Sequence, residues 1–241
     1  MDKSHFNTFI FSSADKIYYY VYCLLRNQEE TLEVVSLTIE ECWKERKKFS
    51  HTDMIYVFKI ARKLARLKAA TGCEKRISPA SANNLLADTN PDLTRFCLLT
   101  QDLSPVQAEV MCLRSMVRLH MDDISIVVDL GINNVQSILS EVRKAIRARI
   151  DPNGIFSGSK SNEVLFKYYS GKSTVEEEEQ LRLYFSRMDL SDVTGADKEL
   201  FQLFLKIGNA AMPSNCSDQL LLEIKEIQKR NWRSSFPRIF K

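Results

Sequence analysis

Apolar residues recur at helical spacing along much of the chain, and the pattern is clearest in residues 122–150. In the second half of this stretch, apolar residues spaced three or four apart form a single stripe along one helix face. The stripe consists of Val135, Leu139, Val142 and Ile146. A shorter stripe precedes it and consists of Ile124, Val127 and Val128. Residues 122–150 are therefore predicted to form two helices joined by a short turn.

The residues between the two stripes predict how the turn is made. Gly131 reaches a left-handed conformation at little cost, so we expect it to absorb the bend. Asn134 is expected to cap the second helix by accepting backbone N–H bonds. The local prediction is helix, turn, helix.

The same periodicity predicts helices elsewhere, with breaks near Asn27 and near residues 50–53. Ser104 is predicted to cap a helix whose first turn contains Pro105, and Thr174 begins another as part of a capping box with Glu177. In the last third of the chain, we predict helices at about 162–170, 174–188, 197–208 and 217–232. Only seven glycines and six prolines interrupt the 241 residues, which favours an all-α fold.

Two polar stretches divide the chain into a predicted order of domains. We expect a helical domain, a linker, a helix-turn-helix domain, a second linker and a helical tail. Their bounds are 1–70, 71–92, 93–150, 151–161 and 162–241. The predicted fold class is therefore all-α, with two small helical domains joined by a linker and followed by a C-terminal helical tail.

The distribution of charge indicates a nucleic-acid partner, whereas the net charge of +3 is too small to do so. Between Lys44 and Arg76, eleven basic residues face three acidic ones, which leaves a local charge of +8. A second basic run ends the predicted helix-turn-helix and consists of Arg143, Lys144, Arg147 and Arg149. Each run alone is as consistent with a solvated helix face. Two basic runs with a helix-turn-helix pattern favour nucleic-acid binding.

The remaining composition points away from catalysis, metals and membranes. The six cysteines form no Cys-x-x-Cys pair, and the three histidines lie at no ligand spacing with them. No phosphate-binding glycine loop is present. We therefore expect no enzyme activity, no cofactor and no metal site. No apolar run reaches the roughly 18 residues that a membrane span needs, so we expect a cytoplasmic protein that makes no membrane contact.

Two parts of the chain resemble the extracytoplasmic-function sigma factors of bacteria, which belong to the sigma-seventy family. Residues 103–146 resemble the second conserved domain of that family, through "LSPVQAEVMCLR", "DDIS" and "VQSILSEVRKAI". Residues 18–70 are similar to the first conserved domain, through "IEECWKE" and "YVFKIARKLA". The resemblance implies an RNA polymerase sigma factor that directs promoter recognition and transcription initiation, with core RNA polymerase and promoter DNA as partners.

The resemblance also implies roles for particular residues. The first domain would bind the polymerase through Glu33, Ser36, Leu37 and Glu40. It would grip the downstream promoter element through Lys47, Lys48, Phe49, Lys59, Arg62, Lys63 and Arg66. In that set, Phe49 either stacks on an unpaired base or anchors a helix end in the core.

The second domain would put the second helix of its helix-turn-helix in the major groove of the upstream element. The residues expected on its exposed, DNA-facing side are Asn134, Gln136, Ser137, Ser140, Arg143, Lys144 and Arg147. The first three would reach base edges, because the beginning of such a helix enters the groove, and the basic residues would hold phosphates.

This helix also departs from the family pattern. Gln136, Ile138 and Glu141 occupy positions that often carry Lys or Arg in the family. These departures favour an alternative function. In that alternative, the chain is a degenerate sigma-like regulator that binds polymerase or another sigma factor without reading a promoter.

The tail resembles a second family. The stretch "LFKYYSGKSTVEEEEQLRLYF" is similar to the cytoplasmic start of anti-sigma factors from Bacteroidetes. We expect the tail to dock on the sigma-like domains and inhibit them, because a tethered segment acts at an effective concentration of order millimolar. An anti-sigma factor in trans is the other expected partner. The expected docking residues are Leu181, Tyr184, Phe185 and Met188, helped by Phe201, Phe204 and Leu205. The alternative is an independent bundle in which the four tail helices pack only on each other.

Overall fold

The protein is all-α within the part of the chain that the computed structural model describes, as predicted. The described residues are 3–46, 54–71, 91–151, 163–186, 195–209 and 211–234. Within them the chain forms eleven helices and no strand. The helices are α1 (Lys3–Leu25), α2 (Gln28–Glu45), α3 (Met54–Thr71), α4 (Pro91–Leu99), α5 (Pro105–Ser115), α6 (Met121–Val128), α7 (Ile132–Ile150), α8 (Glu163–Tyr169), α9 (Val175–Ser186), α10 (Gly195–Gly208) and α11 (Ser214–Ser234).

The helices belong to two compact units, and the predicted tail contributes to both. The first unit comprises Met1–Arg76 and Ala211–Lys241, and the second comprises Ile77–Ala210. Helix α11 therefore packs with α1–α3, whereas α8, α9 and α10 pack with α4–α7. The tail was expected to be one segment, but it is divided at about residue 210. The four tail helices do not form an independent bundle.

The first unit is built around α1, which packs against both α2 and α3. Aromatic residues fill its core: Phe6 meets the ring of Trp43 edge-on at 5.1 Å, and Tyr20 meets Phe58 in the same way. The predicted break near Asn27 is confirmed, because the Asn27 side chain accepts a hydrogen bond from the first turn of α2.

Helix α11 completes the first unit by burying one apolar stripe. The buried residues of this stripe are Cys216, Leu220, Ile224 and Ile227. Just before the helix, the Met212 backbone N–H donates to the Asp15 carboxylate at 2.8 Å, and the Tyr19 hydroxyl donates to the Ala211 carbonyl at 2.6 Å. These two hydrogen bonds fasten the start of α11 to α1.

In the second unit, the helix boundaries follow the predicted caps at two places. Ser104 and Gln107 form a reciprocal capping box at the start of α5, with Pro105 as the first helical residue. Thr174 and Glu177 form a second box at the start of α9. Both boundaries were predicted from local sequence because each cap satisfies backbone groups only three residues away.

The turn between α6 and α7 differs in detail from the prediction. Asp129 takes the left-handed conformation (φ 57°, ψ 51°), and Gly131 is extended. Aspartate is one of the few residues that tolerate this conformation, so Gly131 is left to precede the helix. Asn134 is not the cap, because α7 already begins at Ile132.

Helix α10 holds the second unit together. It packs on α4, α7 and α9. Its Phe201 ring stacks on Phe185 of α9 with centroids 4.8 Å apart, and its Phe204 ring meets Phe96 of α4. The core of this unit is therefore shared between the predicted helix-turn-helix domain and the predicted tail.

None of the described helices is both long enough and apolar enough to cross a bilayer.

Candidate functional site

The candidate site lies on α7, on the face adjacent to its apolar stripe. The stripe itself is buried in the second unit, as the periodicity predicted. The tail helices α8 and α10 pack on the neighbouring face. Arg143 and Arg147 were expected to be exposed, and that expectation is wrong: both are buried. The physical reason is that carboxylates and carbonyls of the tail surround their guanidinium groups.

A single tail carboxylate, Glu178 of α9, forms the centre of this site. It accepts hydrogen bonds from Arg143 of α7 at 2.7 Å and from Arg114 of α5 at 2.8 Å. The Ser173 hydroxyl donates to the same oxygen at 2.7 Å. All four side chains are almost fully buried. Three donors therefore satisfy one carboxylate oxygen in the interior of the unit.

The guanidinium groups of the site also bind backbone groups of the tail. Arg143 donates to the Tyr168 carbonyl at 2.7 Å and lies over the Tyr168 ring, 3.9 Å from its centroid. Arg114 donates to the Ser173 carbonyl at 2.7 Å. Because buried charges are tolerated only when they are paired and hydrogen-bonded, these contacts are what allow the arginines to be buried.

The electrostatics of the site keep the carboxylate ionised. Burial raises the pKa of Glu178, but Arg143 and Arg114 lower it, as does the hydrogen bond from Ser173, and the pKa is below its usual value. Burial raises the pKa of Tyr168, so its phenol is neutral. Around neutral pH the site therefore holds an ionised glutamate between two cationic arginines.

A second carboxylate, Asp197 of α10, binds α7 one helical turn further along. Arg147 Nε donates to Asp197 Oδ1 at 3.0 Å, and the Tyr169 hydroxyl donates to the same oxygen. Arg147 and Asp197 are both buried. Residues 143 and 147 are four apart, so they lie on one face of the helix. The tail thus provides one carboxylate for each of two successive arginines.

The turn between α8 and α9 lies directly against α7 near its beginning. Gly171 has φ +71°, and a Cβ at this position would be 2.2 Å from the Gln136 carbonyl oxygen. The Ser140 hydroxyl donates to the Tyr169 carbonyl at 2.8 Å. Glycine is therefore required here, because a side chain would separate the turn from α7.

The remaining polar residues of α7 are accessible. Asn134, Ser137 and Lys144 are exposed, and Gln136 is half-buried. An open cleft of about 340 Å³ lies between the beginning of α7 and the turn; it is lined by Asn133, Gln136, Ser137, Ser140, Glu141, Ser170 and Lys172. The tail therefore covers one side of the face that was expected to meet DNA and leaves the other side open.

The expected docking residues of the tail are divided between core and surface. Leu181 and Phe185 are buried, but Tyr184 is 42% exposed, and Met188 lies outside the described residues. The expectation for Tyr184 is wrong because α9 buries positions 178, 181, 182 and 185, which turns residue 184 away. On α10, Phe201 and Phe204 are buried and Leu205 is half-buried.

The sequence prediction missed the buried polar contacts between the tail helices and helices α5 and α7. The burial of Glu178 was not predicted, although this residue shares a helix face with Leu181 and Phe185. That spacing was the available signal for its burial. Arg114 and Asp197 had no comparable signal, because their partners lie 28 to 64 residues away in the sequence. Ser173 lies only five residues before Glu178, but its other partner, Arg143, lies 30 residues earlier in the sequence.

In the first unit, the residues expected to bind polymerase lie on the outer side of α2. Glu33 and Leu37 are exposed, and Ser36 and Glu40 are half-buried. Of the basic residues expected to contact the downstream element, Lys59, Lys63 and Arg66 are exposed and Arg62 is half-buried. Lys47, Lys48 and Phe49 lie outside the described residues.

The described residues contain no group of three or more His, Cys, Asp or Glu side chains that is arranged to hold a metal ion.

A comparison with protein families identifies one segment of the chain. Residues 162–214 match the model of the anti-sigma factor N-terminal domain. The match extends from just before α8 to the first residue of α11, and it includes Glu178 and Asp197. No curated protein matches the chain. The C-terminal segment is therefore anti-sigma-like, as its sequence resemblance predicted.

Proposed function

We propose that the chain is an RNA polymerase sigma factor that is held inactive by its own anti-sigma-like tail. The anti-sigma match of residues 162–214 supports a role in sigma-factor regulation. The observation that carries the proposal is the pairing of two tail carboxylates, Glu178 and Asp197, with Arg143 and Arg147 of α7. In this proposal the protein acts by binding, with core RNA polymerase and promoter DNA as partners, and not as an enzyme.

Inhibition follows from the chemistry of the guanidinium group. Arginine binds carboxylates and phosphates with the same planar arrangement of N–H donors. If Arg143 and Arg147 hold promoter phosphates in the active form, Glu178 and Asp197 occupy those donors in the closed form. In that case these arginines cannot bind the phosphates of the DNA while the second unit is closed.

The last helix of the tail packs within the first unit. Helix α11 packs on α2, the helix through which the sigma resemblance implies polymerase binding. The Gln28 amide at the start of α2 donates to the Cys216 sulfur at 2.9 Å. One tail would therefore restrain both sigma-like domains, through α8–α10 in one unit and through α11 in the other.

Release of the tail would require a partner that covers apolar surface. Opening the second unit would expose aromatic side chains that are now buried, among them Phe185, Phe201 and Phe204. Exposing each such side chain to water costs about 1.5–3 kcal/mol of free energy. We therefore expect activation to be a replacement of the tail by another protein surface, and core RNA polymerase is the expected replacement.

A run-off transcription assay with cognate core polymerase tests the proposal. The full chain is compared with residues 1–152 and with full-length Glu178→Gln, with Glu176→Gln as the exposed control. We expect the truncation and Glu178→Gln to increase promoter-dependent transcripts, because both free Arg143, and Glu176→Gln to leave them unchanged. Equal transcript levels from all four proteins would refute autoinhibition.

One observation favours the degenerate regulator as a second candidate. Arg114 belongs to α5, not to α7, and it is as deeply buried by Glu178 as Arg143 is. Glu178 therefore also compensates a charge to which the sigma resemblance assigns no contact with DNA. If the chain is this regulator, the truncated and substituted variants would bind core polymerase or another sigma factor but would yield no promoter-dependent transcript.

A further inference from the structure

The pair Arg147–Asp197 joins α7 to α10 inside the second unit. Both side chains are buried, and Tyr169 of α8 donates its hydroxyl to the same aspartate oxygen that accepts from Arg147. The pair therefore connects three helices, two of which belong to the tail. It lies one helical turn from the Arg143–Glu178 contact along α7.

Aromatic burial by α10 is a second source of attraction between the tail and α4–α7, in addition to this ion pair. Asp197, Phe201 and Phe204 are buried residues of α10 at helical spacing, so one face of the helix carries both the charge and the aromatic side chains. Phe204 packs on Phe96 of α4, and Phe201 packs within the tail, 4.7 Å from the ring of Tyr168, which itself lies against Arg143 of α7. Aromatic burial of this kind stabilises the contact but is tolerant of sequence changes in the partner.

A buried ion pair behaves differently from aromatic contact. The cost of desolvating the two charges offsets most of their attraction, so the pair adds little net stability over two apolar residues. Removing one partner, however, leaves the other charge buried and uncompensated, which is strongly unfavourable. Such a pair selects against wrong partners more than it strengthens the right one.

We propose that Arg147 and Asp197 form the specificity-determining pair of the tail. Asp197 makes the tail accept a helix-turn-helix unit with an arginine at the position of Arg147 and reject a unit with a neutral or acidic residue there. The inference rests on the proposed function, since it assigns the selectivity of the proposed inhibition. The partner class it defines is a helix with two arginines four residues apart, packed beside a helix that presents an aromatic residue at the position of Phe96.

Amide hydrogen exchange of α10 in the full-length chain tests the pair. Arg147→Asp and Asp197→Arg are made singly and together. The matched control is the pair Lys206–Asp92, an exposed lysine and a half-buried aspartate that join the same helix to α4 at 3.7 Å. We expect each single reversal to speed exchange in α10 by about 100-fold, and the double reversal to recover at least about tenfold of this, because the two charges are again opposite. Reversal at Lys206 or Asp92 is expected to change exchange by less than about threefold.

A second set of variants separates selection from simple stabilisation. Arg147→Met, Asp197→Leu and Tyr169→Phe are combined, so that both charges and the hydroxyl that would lose its acceptor are removed. We expect this triple variant to exchange within about tenfold of the parent, because an apolar replacement leaves no uncompensated charge. Exchange as fast as that of the single reversals would overturn the proposal, as would single reversals no faster than the Lys206 control.

Failure of the specificity pair and failure of the proposed function give different results. Exchange in α10 reports closure of the second unit in the absence of DNA and polymerase, whereas transcription reports autoinhibition. If the exchange pattern is as expected but truncation does not raise transcription, the selectivity stands and the autoinhibition fails. If truncation raises transcription but the pair variants do not affect exchange, the tail inhibits through other contacts and the specificity pair is refuted.

Discussion

At the scale of single residues, the second unit depends on a small number of buried charges. Glu178 compensates two arginines from different helices, and Asp197 compensates a third. Arg182, next to this group on α9, donates to the Ser115 carbonyl and to Glu179. Because removing one of these carboxylates leaves a buried arginine without its opposite charge, its loss has a larger effect than the loss of an exposed carboxylate.

Neutralising Glu178 tests this dependence. Glu178→Gln leaves Arg114 and Arg143 buried without a carboxylate, so we expect the second unit to lose about 3–5 kcal/mol of stability. Glu176→Gln at an exposed position of the same helix should cost less than about 0.5 kcal/mol. Amide exchange of α9 measures both. Similar protection in the two variants would contradict the role of Glu178.

The same carboxylate predicts an acid-sensitive unit. The pKa of Glu178 is lower in the folded chain than its ordinary value of 4.5. A group of this kind stabilises the fold above the unfolded pKa, and the contribution is lost as the pH falls through the folded pKa. We therefore expect near-ultraviolet circular dichroism of the buried tyrosines to be constant from pH 7 to about 5 and to decline below about pH 4.5. In Glu178→Gln this acid transition should be reduced; an unchanged transition would assign it to other carboxylates.

The sequence singled out Arg143 and Arg147 of α7 but did not predict the groups that they contact. They were predicted to contact phosphates because they were expected on the exposed face opposite the apolar stripe. Their partners are 35 and 50 residues away, and helical periodicity contains no information about contacts at that separation. The carboxylates that bind them were visible only as acidic positions on other helices.

At the scale of helices, the sequence predicted most boundaries correctly. Caps and apolar stripes are local, so the starts of α5 and α9 and the buried face of α7 follow from residues within a few turns. The turn before α7 was less predictable, because Asp129 and Gly131 are both able to absorb a bend. Close approach between helices is also not local: the role of Gly171 depends on a backbone atom 35 residues earlier.

Gly171 therefore provides a test at this scale. In Gly171→Ala the added Cβ meets the Gln136 carbonyl oxygen and the residue must keep a positive φ, so the turn has to move away from α7. We expect a cost of about 1–3 kcal/mol and faster amide exchange in α8 and at the beginning of α9. Gly195→Ala is the matched control, because a Cβ there meets nothing within 4 Å and alanine suits a helix. Equal exchange in the two variants would mean that the turn does not depend on close approach.

At the scale of the whole molecule, the tail has two parts with different chemistry. Helices α8–α10 bind α4–α7 within the second unit through buried ion pairs and aromatic rings, and they contain nearly all of the anti-sigma-like match. Helix α11 lies almost entirely beyond that match and packs within the first unit through an apolar stripe. The sequence predicted that apolar stripes of α9 and α10 would be buried. It did not predict the division at about residue 210, because an amphipathic pattern does not specify the helix that covers it.

The two parts are expected to be separable. Leu220→Asp with Ile224→Asp puts two carboxylates into the buried stripe of α11, which should cost several kcal/mol and release that helix from α2. Leu222→Asp is the matched control, since Leu222 is 63% exposed on the outer side of the same helix. We expect faster amide exchange in α11 and tighter binding of core polymerase for the double variant only. Exchange in α9 and α10 should stay unchanged, because Glu178 and Asp197 keep their partners. Release of α11 without any gain in polymerase affinity would mean that α11 stabilises the first unit but does not inhibit it.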